Sequence, residues 1–142
     1  QKTSIRPLES LPSPGQALFA KYGALTSRIM IMTTRGCPFA CTFCVNNAYL
    51  AMHPHQKPIR KRSVEHLMKE LLFVKTNLPY IGRIKFDDDA FFLHSLEWMK
   101  DFAKQYKEKI KLPLLLISLS MISPAIFKFI KPISISSYLY FL

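Results

Sequence analysis

A chain of 142 residues, 49% of them hydrophobic and 13% aromatic, is long enough for one core and too apolar for a disordered protein. Its net charge of +11 favours anionic partners such as RNA, nucleotides or phosphorylated substrates, or else a solvated lysine-rich surface, and says nothing of fold. Three cysteines, an odd number confined to residues 37–44, argue against a secreted disulfide framework and for metal ligation in a reducing compartment, hence the cytoplasm.

Residues 1–24 read as a linker. The segment from Leu8 to Gly15 is full of turn formers and has no sustained periodicity. Residues 1–16 hold Pro7, Pro12 and Pro14 and no apolar run, so no signal peptide is expected, and a start at Gln1 rather than Met suggests that an upstream part is missing. Arg28 to Thr33 is a short apolar, partly β-branched run that predicts a buried strand, stopped by Arg35-Gly36-Cys37-Pro38. A polar, histidine-containing stretch follows. Ser63 then caps a helix to about Lys75, with Val64, Leu67, Met68, Leu71 and Leu72 as its core stripe and Asn77-Leu78-Pro79 as its stop. Ile81 to Phe86 predicts a second strand, ended by Asp87, Asp88 and Asp89. Ser95 caps a second helix that buries Leu96, Met99, Phe102, Ala103 and Tyr106. Leu114 to Leu119 predicts a third strand, Ser123-Pro124 opens a third helix that ends before Pro132, and Ile133 to Phe141 predicts a fourth strand.

Strands alternating with helices imply right-handed βαβ units and an α/β fold of about four parallel strands. Continuously apolar strands suggest a sheet covered on both faces. In such sheets the chemistry sits at the carboxyl ends of the strands, where both the cysteine cluster and the aspartate triplet fall. The tail differs in character. All nine acids lie at or before Glu108, and beyond Leu112 only Lys128 and Lys131 are charged, which marks 112–142 as atypical. Its apolar part, 112–127, is too short and too rich in proline and serine for a membrane span.

Cys37, Cys41 and Cys44 form a C-x3-C-x2-C arrangement. Thiolates are soft ligands that suit iron–sulfur clusters and zinc. A four-iron cluster usually takes four cysteines, and supplying three leaves one iron open to a small molecule. On a helix these positions would form one buried face, but Gly36 and Pro38 oppose a helix there. Zinc with His53 or His55 as fourth ligand is the stronger rival. An aspartate triplet can hold an amine, since a carboxylate accepts charge-assisted hydrogen bonds, or can be a solvated turn that caps a helix. Alternation would turn Asp87 away from Asp88. The basic run Lys57, Arg60, Lys61 and Arg62 reads equally as an oxyanion site or a solvated loop. His66 and His94 carry no functional signal.

The C-x3-C-x2-C spacing, with Phe43 directly before the last cysteine, resembles the signature of the radical S-adenosylmethionine (SAM) superfamily. The longer string from Thr33 to Cys44 is similar to the radical SAM enzymes that follow a cobalamin-binding domain, as are the linker-like Leu8–Leu18, Arg60-Lys61-Arg62-Ser63, and Ile84 to Phe91 with its paired aspartates. The likeness covers roughly residues 5–113. It implies a partial (β/α) barrel, with 1–24 as the linker from a missing upstream, cobalamin-binding domain and 25–142 as the N-terminal part of the radical SAM core. It implies that Cys37, Cys41 and Cys44 hold three irons of a [4Fe-4S] cluster whose fourth iron is chelated by SAM. The backbone near Phe43 would lie against adenine, and Asp88 and Asp89 would hold the SAM amino group. An electron from an external flavodoxin- or ferredoxin-like donor would then cleave SAM to a 5′-deoxyadenosyl radical.

Two departures accompany the likeness. Residues 114–142 lack the glycine-rich and acidic elements that complete the family's SAM pocket, and about four strands are found where the superfamily uses six. The expected function is radical SAM chemistry, with cobalamin-dependent methyl transfer named first and ring rearrangement second; the substrate is unknown. The alternatives are a zinc-stabilised nucleic-acid-binding module and a non-catalytic remnant of the fold. A nucleic-acid partner has no motif of its own beyond the charge.

Overall fold

Strand β1 (Arg28–Ile31) alternates exposed and buried residues, so Ile29 and Ile31 enter the core while Arg28 and Met30 face away. The computed structural model of the chain describes residues 7–12, 18, 21, 27–117 and 134–136. Strand β1 leads to a two-residue strand β2 (Thr34–Arg35), the cysteine loop, helix α1 (Val45–Met52) and strand β3 (Arg60–Lys61), which pairs antiparallel with β2. Helix α2 (Val64–Asn77), strand β4 (Arg83–Asp87), helix α3 (Leu96–Gln105), strand β5 (Leu114–Ile117) and strand β6 (Ser134–Ser136) follow. The main sheet has the order β1-β4-β5-β6, and all three pairings are parallel. Ile31 lies opposite Phe86, and Phe86 opposite Leu116. The four strands thus add in chain order with no reversal.

Both predicted caps are present. The Ser63 hydroxyl accepts the His66 amide and the Ser95 hydroxyl accepts the Trp98 amide, each at 3.2 Å, so each helix start has one of its spare donors satisfied. Helix α3 runs into a wider turn, Tyr106–Ile110, which stops where Lys111 adopts a φ of 61° and Pro113 follows. Leu67, Leu71 and Val74 of α2 are fully buried against Ile29, Ile84, Phe86, Met99, Phe102 and Tyr106. Each such side chain contributes on the order of 1.5–3 kcal/mol. Phe86 and Phe102 meet at 5.5 Å between ring centroids, tying strand β4 to helix α3.

Several expectations need correcting. Among the described residues the sheet is covered on one face, not two: Met30 is 58% exposed, and Arg83 and Asp87 are also exposed. The strands are short enough that a run of apolar residues hid the alternation. Leu72 lies outside the core stripe, 38% exposed, while Glu70 is buried in its place beside Arg62. The second strand spans Arg83–Asp87 rather than beginning at Ile81. Helix α1 and the β2–β3 ribbon were not expected, because α1 buries no residue and so carries no core stripe. The helix expected from Ser123 and most of the fourth strand lie outside the described residues. No helix among the described residues is long and apolar enough to cross a membrane.

Candidate cofactor site at the cysteine loop

The loop begins where β1 ends, and Asp88 anchors it. Oδ1 of Asp88 accepts the amides of Thr33 at 2.8 Å and Thr34 at 2.6 Å and the Thr34 hydroxyl at 2.8 Å, while Oδ2 accepts the Thr33 hydroxyl at 3.0 Å. Because β1 and β4 are parallel neighbours, their carboxyl ends lie side by side, and one carboxylate closes both. Burial pushes the Asp88 carboxyl above its usual range, and the four donors pull against that shift. With its oxygens so occupied, Asp88 holds backbone rather than presenting itself to a ligand.

The three aspartates therefore divide their work. Asp87, still on the strand, is exposed and pairs with Lys85 at 2.9 Å. Asp89, half-buried, accepts a hydrogen bond of 2.9 Å from Asn46 Nδ2 of helix α1. That contact sets Asp89 beside the cysteine loop, where its charge also raises the Cys37 thiol.

Gly36 turns the loop. Its φ is +88°, and a Cβ would meet the Pro58 carbonyl oxygen at 2.4 Å, so no other residue fits. Cys37 follows, buried; burial pushes its thiol up, and the charges of Asp89, Cys44 and Cys41 add to the rise against a backbone hydrogen bond at Phe39. Cys41 is exposed and Cys44 half-buried, and none is in a disulfide. The Cys44 amide donates to the Cys41 carbonyl at 3.1 Å, closing a tight turn that brings the two residues together, and Cys44 is the N-cap of α1. Phe43 points outward, 85% exposed. No group of three or more His, Cys, Asp or Glu side chains is drawn together tightly enough to hold a metal ion among the described residues. His53 ends α1 with its ring 4.6 Å from that of Tyr49, and His55 is exposed.

No family model, curated protein or solved structure matches the chain.

Two features escaped the sequence. His94 is buried and stacks on Trp98 at 3.7 Å, with Nε2 2.9 Å from the Thr33 hydroxyl. Burial, with the charge of Lys61, pushes its pKa down to about 3, so the ring is neutral at neutral pH. The Thr33 hydroxyl gives its one proton to Asp88, which assigns the Nε2–H tautomer to His94 and makes a one-way chain from His94 through Thr33 to Asp88. The basic run is the second feature. Arg62 is buried, with Nη2 2.6 Å from Glu70 Oε2, Nη1 donating to the Met32 carbonyl at 3.1 Å and Nε to His66 Nδ1 at 3.1 Å. Lys61 donates to the Leu93 carbonyl. Lys57 and Arg60 border open cavities. A charged run shows no periodicity that distinguishes a buried arginine from a solvated one. Glu70, about two helical turns into α2 and three residues after Leu67 on its core-facing side, was the available signal.

Proposed function

We propose that this chain is the opening part of a radical SAM-type (β/α) barrel that holds a [4Fe-4S] cluster on Cys37, Cys41 and Cys44. The carrying observation is the position of the C-x3-C-x2-C loop at the carboxyl end of the first of four parallel strands that add in chain order, with an aspartate beside it. A singly covered sheet suits such a barrel, since Met30, Lys85 and Asp87 would line its interior once further strands closed it. The donor set also fits. One zinc would need its sulfurs about 3.8 Å apart, from bonds of about 2.3 Å. A cube takes each thiolate on a different iron and so asks for a wider spacing, and three thiolates are the set that leaves its fourth iron open.

In this reading Cys37 would hold iron as its thiolate, because a cationic centre would offset the burial, and the lesser repulsion from Asp89, that raise its thiol. Asp88 fixes the strand end. Asp89, beside the loop, is the carboxylate we assign to the SAM ammonium. The backbone near Phe43, whose ring faces outward, would lie against adenine. When bound, the cluster would supply the electron, received from a flavodoxin- or ferredoxin-like donor, for reductive cleavage of SAM. Methyl transfer to an unactivated carbon, with cobalamin held by an upstream domain, is the reaction we name first. A reducing, cytoplasmic setting suits thiols kept out of disulfides.

The test is anaerobic reconstitution with iron and sulfide, followed by absorbance and electron paramagnetic resonance with and without SAM. A brown protein whose reduced spectrum changes on adding SAM, and which loses its iron in Cys41→Ala, supports the proposal. A colourless protein holding one zinc points to a nucleic-acid-binding module. A cluster indifferent to SAM points to a remnant.

A further inference from the structure

Behind the cysteine loop lies a cavity of about 290 Å³ between the loop, helix α1 and residues 56–60. Three cations line it, Arg35, Lys57 and Arg60, together with the neutral hydrogen-bonding groups of Asn46, Gln56 and Tyr49. No acid lines it; Cys37 borders it, while Cys41, Phe43 and Cys44 do not, so it lies against the inner side of the cysteine loop. Arg35 and Arg60 are direct partners in the β2–β3 ribbon. Like charges placed opposite each other destabilise a strand pair, and here the pair has only two residues on each side. Gly36, whose missing Cβ lets Pro58 come close, holds the two segments in register. An anion seated beside the pair would be attracted to both arginines. Arginine forks match the oxygens of phosphate two at a time, and lysine adds a point charge. The volume is at or below the roughly 300–1,000 Å³ of pockets that enclose whole ligands, so it fits a terminal group rather than a complete substrate.

We infer that this cavity is a binding subsite for the phosphate or diphosphate group of a small-molecule ligand, seated by Arg35, Lys57 and Arg60. The inference does not depend on the cluster, since none of its cations ligates iron.

Calorimetric titration of the chain with pyrophosphate, inorganic phosphate and malonate, each before and after iron–sulfur reconstitution, tests it. Saturable binding of pyrophosphate with Kd of about 1 mM or tighter is expected, weakened about tenfold in Lys57→Gln and further in Arg35→Gln/Lys57→Gln. Lys104→Gln, at an exposed position of α3 and remote in sequence from the cavity, should bind as the parent does, which separates a site from general basicity. Circular dichroism establishes that each variant folds, and Lys57→Gln, an exposed position, carries the test if the double variant does not. Absent saturation, equal weakening by Lys104→Gln, an unchanged Lys57→Gln, or preference for malonate over pyrophosphate would overturn the inference. So would tight binding of a single-stranded RNA without any binding of pyrophosphate. Loss of cluster formation with phosphate binding intact would sink the functional proposal and leave this one standing.

Discussion

Three consecutive aspartates should respond to alanine in three different ways. Asp88→Ala removes the acceptor of four hydrogen bonds and leaves the Thr33 and Thr34 amides, at residues only 0% and 1% exposed, without it. Each buried donor so stranded costs about 1–3 kcal/mol, and the two hydroxyls can rotate to other acceptors, so about 3–5 kcal/mol is expected in all. That is a large part of the roughly 5–15 kcal/mol that holds a domain folded. Asp87→Ala breaks only a half-exposed pair with Lys85 and should cost less than about 1 kcal/mol. Asp89→Ala loses the bond from Asn46 and should cost about 1 kcal/mol while weakening the response of the reconstituted protein to SAM. Asp88→Asn keeps one oxygen for the three donors at Oδ1 and should fall between, at about 1–2 kcal/mol. Urea titration followed by circular dichroism gives all four values. An Asp88→Ala protein within about 1 kcal/mol of the parent would refute the claim that this carboxylate anchors the loop.

Other outcomes follow from the same packing. His94 has an ordinary pKa of 6.5 lowered to about 3, so below 6.5 the unfolded chain binds a proton that the folded one refuses. Stability should be whole above pH 6.5 and fall by about 1.4 kcal/mol per unit beneath it, about 2 kcal/mol by pH 5. His94→Gln should flatten that part of the urea midpoint against pH, and an undiminished slope would argue against a neutral buried ring. Gly36→Ala should lose about 2–4 kcal/mol through its positive φ and the Pro58 contact. Gly82→Ala, whose Cβ would sit 3.9 Å from the nearest atom, should stay within about 0.5 kcal/mol in the same melting series. Arg62→Met takes the guanidinium from buried Glu70 and should cost about 3–5 kcal/mol, with part recovered in Arg62→Met/Glu70→Met. A double variant no more stable than the single would count against that pairing.

The features legible from the order of the amino acids are those that depend on near neighbours in the chain. Ser63 and Ser95 cap helices because a hydroxyl reaches an amide three residues on. The α2 stripe follows from helical period, apart from Leu72, and the cysteine spacing is a matter of counting. Parallel order came from the alternation of strands and helices. Tertiary structure decided the rest. Asp87, Asp88 and Asp89 are identical as letters, and only the placing of β1 against β4 sends one to solvent, one to the Thr33 and Thr34 amides and one to Asn46. The same holds for Arg62 against Lys57, and for His94, whose neutrality comes from the rings and backbone folded over it. A side chain's charge, partners and exposure are set by atoms distant in sequence, and burial multiplies their effect by removing the water that would otherwise level it.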